Sequence, residues 1–358
     1  MPLPIPRSYN RLNAMIASMA LLGALLNSEE APAQETIRDS TSTRTAFLKL
    51  IDRPRVPLAY QLKALPNVEE FAYEHFSFAA EAEQCVPGIL LKPVGNGRRP
   101  VVVVLHGTGG RKEDQMALLK TLAGRGFVAV AIDGRFHGER NPTGTGAAAY
   151  VEAILQTYRT RKGHPFLYDT VWDVMRLIDY LENREDVDVT RIGVMGFSKG
   201  GMETYLAAAV DPRIAVAVPV IGVQSFRWAL ANNGWQSRAG TFQAAVDGAA
   251  KDAGAAEVDA AFIRTFYDRV APGIYTQFDG PAMLPLIAPR PLLVINGDSD
   301  ARTPLPGVRE CAAPTEQAYR NARAEDKFVL HLQKDTGHAV TPEGRQAAID
   351  WFVRWLTP

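Results

Sequence analysis

The residue best placed for nucleophilic chemistry in this chain is Ser198. It stands in the motif Gly196–Gly201 (GFSKGG), directly after the apolar run Ile192–Met195 and directly before a run of helical character. A serine on a tight strand-to-helix turn raises its hydroxyl above the sheet, and the neighbouring glycines leave room where backbone segments nearly touch. Because a single G-x-S-x-G match is common by chance, the motif needs partner residues elsewhere in the chain.

A serine nucleophile needs a histidine that takes its proton and a carboxylate that orients the histidine. His338 and two carboxylates, Asp298 and Asp300, each follow a predicted strand in the second half of the chain. Serine, acid, histidine is the chain order that this type of site requires. Spacing alone does not show which of the two carboxylates orients the histidine. We favour Asp300, because Asp298 is equally suited to capping the turn or accepting backbone hydrogen bonds.

The loop His106–Gly110 (HGTGG) follows the predicted strand Val101–Leu105 and is expected to stabilise an oxyanion. The predicted donors are the backbone N–H groups of Lys199, directly after the nucleophile, and of Thr108. We expect the Lys199 side chain to point away from the serine. His106 itself is expected to be a structural residue under the loop.

From about residue 100 onward, short apolar runs alternate with helix-like stretches, which predicts a doubly wound α/β fold. The predicted sheet is mostly parallel, with about eight strands and a helical insertion after the sixth. The predicted strands are Phe76–Ala79, Gly88–Leu91, Val101–Leu105, Phe127–Ile132, Ile192–Met195, Ile214–Ile221, Leu292–Ile295 and Phe328–Leu332. The predicted helices are Lys112–Ala123, Tyr168–Asn183, Lys199–Val210, Gly307–Ala322 and Pro342–Leu356.

The insertion spans residues 224–286 and is rich in aromatic side chains. A connection of this length needs structure of its own, so we expect helices that form a lid or a wall of the substrate pocket. Phe226, Trp228 and Trp235 are the candidate substrate-binding residues. Most aromatic residues of the insertion are nevertheless expected to pack it onto the main core.

Composition narrows the class of partner. Lys plus Arg and Asp plus Glu number 39 each, so no net field attracts nucleic acid or an anionic membrane, and a small-molecule substrate is expected. No metal-ligand spacing and no nucleotide fingerprint occurs, and we expect no cofactor. The only cysteines are Cys85 and Cys311, and the sequence leaves open whether they pair.

The N-terminal residues 1–33 have the layout of a secretory signal peptide. Arg7 and Arg11 precede an apolar stretch, Leu12–Leu26, and a small-residue site follows at Ala31–Ala33. The stretch is shorter than the roughly 20 residues that a spanning helix needs. We therefore expect cleavage near Ala33, a secreted or periplasmic location and no stable membrane insertion. The remaining chain divides into an N-terminal extension, 34–69, and a main domain, 70–358.

The motifs together resemble the α/β-hydrolase superfamily, within it the group around dienelactone hydrolase, acetyl xylan esterases and the catalytic domain of prolyl oligopeptidases. The resemblance covers residues 70–358 and rests on HGTGG, GFSKG, Gly297-x-x-Asp300-x-x-x-Pro304 and Gly337-His338. The acid position of the family matches Asp300. Dienelactone hydrolases proper carry cysteine where this chain has Ser198, which speaks against that activity.

The resemblance implies a serine hydrolase that cleaves carboxylic esters through an acyl-enzyme, with Ser198, Asp300 and His338 as the triad. The alternative is a serine peptidase of the prolyl oligopeptidase type. Prolyl oligopeptidases carry a large β-propeller ahead of the hydrolase domain, whereas about seventy residues precede residue 70 in this sequence, so we expect the esterase rather than the peptidase. A further alternative is a non-catalytic binding protein, because one fold serves many functions.

Overall fold

The computed structural model describes Met1, residues 40–141 and residues 146–357. The predicted signal peptide and its cleavage site lie outside the described residues. Within the described ranges, no helix is both long enough and apolar enough to cross a membrane.

One nine-stranded sheet organises the described chain. Its spatial order is β1-β2-β3-β5-β4-β6-β7-β8-β9, with antiparallel pairing from β1 to β3 and between β3 and β5, and parallel pairing from β5 onward. The predicted α/β class with a mostly parallel sheet is therefore confirmed. The strands are β1 Gln61–Val68, β2 Phe71–Glu81, β3 Gln84–Pro93, β4 Arg99–Leu105, β5 Val128–Ile132, β6 Val187–Phe197, β7 Ile214–Val220, β8 Leu292–Gly297 and β9 Phe328–Gln333.

The sheet has one strand more than the eight expected, because β1 was not predicted. Its side chains are almost all exposed, so the segment lacks the apolar alternation that marks a half-buried strand. It pairs only with β2, with Gln61 opposite Ser77, at the edge of the sheet. The helical insertion accordingly follows the seventh strand and not the sixth.

Helices cover both faces of the sheet. The predicted helices are present with small shifts of their ends, and outside the insertion Ser40–Ile51 and Ala148–Thr160 are additional helices that the sequence did not predict. The α-helices are α1 Ser40–Ile51, α2 Met116–Gly124, α3 Ala148–Thr160, α4 Tyr168–Glu182, α5 Lys199–Val210, α6 Phe226–Ala231, α7 Gln236–Ala239, α8 Gln243–Ala253, α9 Ala260–Val270, α10 Gly280–Met283, α11 Leu305–Asn321 and α12 Pro342–Leu356. Single 3₁₀ turns occupy Lys112–Gln115, Gly138–Arg140, Gly240–Phe242, Leu284–Ile287 and Glu325–Lys327.

The central strands are buried on both faces, and their alternating side chains form two cores. Val101 and Val103 of β4 point to the face covered by α1, α4 and α5, whereas Val102 and Val104 point to the face covered by α2 and α12. Because successive side chains of a strand point to opposite faces, a run of four valines fills both cores. This double burial holds the carboxyl ends of the parallel strands in fixed relative positions.

The insertion between β7 and β8 forms α6 to α10 and packs onto the first of these cores. Its aromatic rings contact one another and Phe166 of the main domain, with Phe242 at 4.9 Å from Phe166 and Phe226 at 5.5 Å from Tyr267 between ring centroids. Most aromatic residues of the insertion therefore pack it onto the main core, as the sequence predicts.

The two cysteines are free thiols. Cys85 is exposed on β3, whereas Cys311 is buried in α11. The pairing that the sequence left open is therefore absent between these two described residues.

Candidate active site

Ser198 occupies the turn between the end of β6 and the start of α5. Its backbone angles are φ 53° and ψ −110°, in a region that residues with a β-carbon rarely adopt. The turn is fixed by the sheet, because the Ser198 N–H donates to the carbonyl of Val220 at 2.9 Å. The strain thus lies at the one residue whose hydroxyl is presented at the carboxyl edge of the sheet.

Close backbone contacts explain the glycines around this serine. A β-carbon at Gly200 would lie 2.5 Å from the carbonyl oxygen of Leu105, and one at Gly196 would lie 2.3 Å from the carbonyl oxygen of Gly200. Distances under 3 Å do not occur for real β-carbons, so only hydrogen fits at either position. The motif therefore brings β6, α5 and the end of β4 together at the serine.

His338 joins Ser198 to Asp300. The His338 Nε2 atom lies 2.9 Å from Ser198 Oγ, and its Nδ1 atom lies 2.7 Å from Asp300 Oδ2. The Asp300 side chain is fully buried, whereas the His338 side chain retains 20% of its exposure. Three residues that are far apart in the sequence therefore form one continuous hydrogen-bonded chain above β6, β8 and β9.

The Asp300 carboxylate is held on both oxygens. Its Oδ1 accepts the backbone N–H of Arg302 at 2.8 Å, and its Oδ2 accepts the Thr303 hydroxyl at 2.6 Å as well as facing His338. Burial raises the pKa of Asp300, but the hydrogen bonds from His338 and Thr303 outweigh burial and hold the pKa below its usual value. Asp300 is therefore an ionised carboxylate at neutral pH.

The second candidate carboxylate, Asp298, has a different surrounding. It lies on the exposed side of the same loop and accepts the Ser299 hydroxyl at 2.9 Å and the Thr336 backbone N–H at 3.2 Å. The hydrogen bond from Ser299 is the main cause that lowers the pKa of Asp298. The structure thus brings Asp300 to His338 and uses Asp298 to connect the two loops that carry them.

The two predicted oxyanion donors flank the nucleophile. Gly107 packs against the turn that carries Ser198, since a β-carbon at Gly107 would lie 3.4 Å from the carbonyl oxygen of Phe197. Thr108 is the next residue in the chain. Lys199 is the first residue of α5, so its N–H has no acceptor inside the helix. Among the described residues, neither the Thr108 nor the Lys199 backbone N–H has a hydrogen-bond partner.

The Lys199 side chain pairs with Glu203 one helical turn later. Its Nζ atom lies 2.6 Å from Glu203 Oε1, and the two side chains are 2% and 1% exposed. The ammonium also lies 5.7 Å from the centre of the Tyr150 ring. Burial raises the pKa of Glu203, and the neighbouring ammonium only partly opposes this shift. The side chain therefore belongs to a buried ion pair inside the protein and is not hydrogen-bonded to Ser198.

His106 fixes the oxyanion loop. Its Nδ1 contacts the carbonyl of Gly107 at 2.7 Å, and its Nε2 accepts the backbone N–H of Gly134 at 3.0 Å. Burial, assisted by the positive charge of Lys199, lowers the pKa of His106 well below its usual value. A neutral ring with one donor and one acceptor therefore joins the loops that follow β4 and β5, in line with the structural role expected.

The three candidate substrate-binding residues differ in their surroundings. Phe226 is 1% exposed and lies in the core, which assigns it a packing role. Trp228 is half-buried and packs against Gly307. A β-carbon at Gly307 would lie 3.3 Å from the Trp228 ring. Trp235 is 7% exposed, and its indole Nε1 is enclosed without a hydrogen-bond partner.

Sequence reasoning missed several residues near the site. Thr303 was not predicted as a site residue, although its position three residues after Asp300 is a signal for a local hydrogen bond. Gln224 and Arg238 were not singled out, and Arg238 is buried at 1% exposure. Arg238 is one of four arginines in the insertion, with Arg227, Arg264 and Arg269, so the sequence carries no signal that sets it apart.

Comparison with known proteins places this arrangement in a family. Residues 139–322, about half of the chain, match the family model described as glucuronyl esterase, fungi. The chain belongs to this family. Membership makes it an α/β-hydrolase that acts on ester bonds, and the predicted superfamily and reaction class are confirmed.

The curated relatives of this chain include a putative hydrolase and a glucuronoyl methylesterase. The putative hydrolase YtaP of Bacillus subtilis (strain 168) is 26% identical over 325 residues, which is 87% of this chain and 97% of that protein. The 4-O-methyl-glucuronoyl methylesterase 1 of Sodiomyces alcalophilus is 26% identical over 182 residues, which is 49% of this chain and 35% of that protein.

Solved structures share the fold. The acetyl xylan esterase 1 of Thermoanaerobacterium sp. JW/SL YS485 superimposes with a TM-score of 0.64 at 19% identity, over 89% of this chain and 94% of that one. The glucuronoyl esterase from Solibacter usitatus gives a TM-score of 0.57 at 15% identity, over 86% of this chain and 91% of that one. At these identities the likeness is one of fold.

Proposed function

We propose that this member of the glucuronyl esterase family cleaves its ester with Ser198 as nucleophile, His338 as general base and Asp300 as the acid that orients the histidine. The observation that carries the proposal is the hydrogen-bonded chain from Ser198 Oγ to His338 at 2.9 Å and from His338 to Asp300 at 2.7 Å. It matches the geometry by which imidazole removes the proton of a serine hydroxyl.

In the first half of the reaction, Ser198 Oγ attacks the ester carbonyl carbon and its proton passes to His338 Nε2. The ionised Asp300 accepts the hydrogen bond from Nδ1–H and stabilises the imidazolium. The tetrahedral oxyanion is held by the backbone N–H groups of Thr108 and Lys199, each worth about 3 kcal/mol of transition-state stabilisation. The imidazolium then protonates the leaving alcohol, and an acyl-Ser198 ester remains.

In the second half, water attacks the acyl-enzyme. His338 takes a proton from the water, the second tetrahedral intermediate forms in the same oxyanion site, and its collapse returns the proton to Ser198 Oγ and releases the carboxylic acid. The residues named for these steps supply the nucleophile, the proton transfers and the oxyanion donors.

The substrate we propose is a small carboxylic ester. The names of the relatives, a glucuronoyl methylesterase and an acetyl xylan esterase, support carbohydrate esters as the first compounds to assay. We further propose that residues 1–33 direct the chain to the periplasm or the exterior, which the charged and apolar layout of that segment supports.

The test is labelling with a fluorophosphonate, which reacts only with an activated serine. We expect the wild-type protein to be labelled at Ser198 and to hydrolyse short-chain esters, and Ser198→Ala to lose both properties while it keeps the wild-type unfolding transition. Ester turnover that persists in Ser198→Ala would refute the proposal.

A further inference from the structure

Arg238, in the short helix α7 of the insertion, is a buried cation without a carboxylate partner among the described residues. Its side chain is 1% exposed. One long hydrogen bond, from Nη2 to Gln224 Oε1 at 3.4 Å, is its only side-chain bond within those residues, and its Nε atom is enclosed without a partner. A guanidinium has five N–H donors and keeps its charge in proteins, so most of this donor capacity is unused.

Other residues close to Arg238 in the sequence also have enclosed polar atoms without hydrogen-bond partners. The side-chain amide nitrogen of Gln224, the indole nitrogen of Trp235 and the hydroxyl of Ser237 are also enclosed and lack hydrogen-bond partners within the described part of the chain. Buried polar groups in folded proteins normally have partners. These unused donors belong to residues 224–238, and the hydrogen bond from Arg238 to Gln224 brings two of the side chains together, as a site for an oxygen-rich ligand group requires.

Gln224 and Arg238 lie beside the proposed active site. Gln224 belongs to the segment that follows β7, and in that segment a β-carbon at Gly222 would lie 2.6 Å from the carbonyl oxygen of Ser198. The charge of Arg238 interacts with the Asp300 carboxylate and with the Arg302 guanidinium, although Arg238 is hydrogen-bonded to neither. Arg302 is exposed and forms no ion pair with any described residue.

Asp300 does not serve as the counter-ion of Arg238. Its two oxygens are already occupied by the His338 ring, the Thr303 hydroxyl and the Arg302 backbone N–H. Two guanidinium groups therefore border the site without a protein carboxylate of their own. The positive charges of Arg238 and Arg302 repel each other, and a bound anion would attract both guanidinium groups and offset this repulsion.

We propose that Arg238, with Gln224 beside it and Arg302 at the exposed edge, binds a carboxylate that the ester substrate carries close to the scissile bond. A carboxylate fits the planar fork of a guanidinium with two parallel hydrogen bonds, which makes it the favoured ligand for an unpaired arginine. The substrate class is then an ester with a free acid group. This inference rests on the proposed function, because it concerns the same site.

The test compares methyl monoesters of succinic, glutaric and adipic acid with the matching methyl esters in which a carboxamide replaces the free carboxylate. Each pair has nearly the same shape and differs in charge. For at least one chain length, we expect the wild-type kcat/KM for the acid to exceed that for the amide by about tenfold or more.

Arg238→Met removes the charge and keeps an unbranched side chain. We expect the acid-to-amide ratio of kcat/KM to fall about 10- to 100-fold in this variant, with partial rescue in Arg238→Lys. Arg302→Met, at an exposed position where folding is not at risk, should lower the ratio a few-fold. Arg264→Met is the matched control, because it removes the same charge from an exposed site on α9, and its ratio should equal that of the wild type.

Two results would overturn the inference: a wild-type ratio near one at every chain length, or an unchanged ratio in both Arg238→Met and Arg302→Met. If Arg238→Met fails to fold, the wild-type ratio and Arg302→Met decide. Titration of Ser198→Ala with glutarate and with glutaramide separates this inference from the proposed function, because it needs no catalysis. Selective glutarate binding supports the subsite even where no ester is hydrolysed, and equal or absent binding of the two compounds contradicts it.

Discussion

The Asp298 carboxylate accepts a hydrogen bond from the backbone N–H of Thr336 at 3.2 Å, two residues before His338. The acid loop after β8 is thereby attached to the histidine loop after β9, and a backbone bond from Ser299 to the carbonyl of Thr336 at 3.1 Å reinforces the attachment. Asp298 and Asp300 thus have separate tasks. The first holds the two loops together, and the second faces the imidazole.

The first prediction follows from this division. Asp300→Asn should lower kcat for a short-chain ester by about 10⁴-fold, because an amide favours the wrong histidine tautomer and stabilises no imidazolium. Asp298→Asn is the matched control at the neighbouring acid, and it should lose far less activity. Similar losses in the two variants, measured by steady-state kinetics, would show that the assignment of the acid is wrong.

The second prediction concerns the strained backbone of Ser198. Glycine adopts positive φ without penalty, so Ser198→Gly should have a higher free energy of unfolding than Ser198→Ala by about 1 kcal/mol or more, even after the greater freedom of glycine in the unfolded chain. Urea titration of the two variants measures this difference. Equal unfolding free energies would mean that the turn stores no strain at this residue.

The third prediction uses Asp279, which is 3% exposed and holds the first turn of α6. Its carboxylate accepts the backbone N–H groups of Phe226 at 2.8 Å and Arg227 at 3.0 Å, yet burial outweighs these bonds and raises the pKa of Asp279 from 3.8 to about 6. A raised acid pKa stabilises the fold below the unfolded pKa, and this contribution disappears as the pH rises through the folded pKa.

Wild-type stability should therefore decline between about pH 4 and pH 6.5 relative to Asp279→Asn, which does not titrate. Urea titrations of both proteins across this range measure the difference in the free energy of unfolding. Asp335→Asn, at an exposed position, is the control. The free energy of unfolding of the wild type relative to this variant should show no such decline across the same pH range. A difference for Asp279→Asn that does not depend on pH would contradict the prediction.

The fourth prediction concerns the buried Lys199–Glu203 pair. Lys199→Met or Glu203→Leu alone leaves an uncompensated charge and should lower the free energy of unfolding by about 3 to 5 kcal/mol. The double variant should recover most of that loss, because both charges are then removed together. As a comparison, the more exposed pair of Arg227 and Glu310, at 2.8 Å, should show a coupling of about 1 kcal/mol or less. Additive losses in the Lys199 and Glu203 cycle would contradict this view of the pair.

The fold and the proposed triad were largely predictable because parallel strands bring their carboxyl ends to one edge of a sheet. Ser198, Asp300 and His338 each follow such a strand, so their meeting follows once the strands are recognised. Strand β1 was not predictable in the same way, because its pairing with β2 depends on backbone hydrogen bonds and its side chains show no buried face. Arg238 was missed because only the packed insertion reveals that its side chain is enclosed without a counter-ion.

The insertion of residues 224–286 leaves one strand and returns to the strand that lies next to it in the sheet. Its length and composition can therefore change during evolution while the spacing of the neighbouring strands stays the same. Enzymes built on this plan can acquire new substrate preferences by altering a single continuous segment and keep the bond-breaking residues untouched.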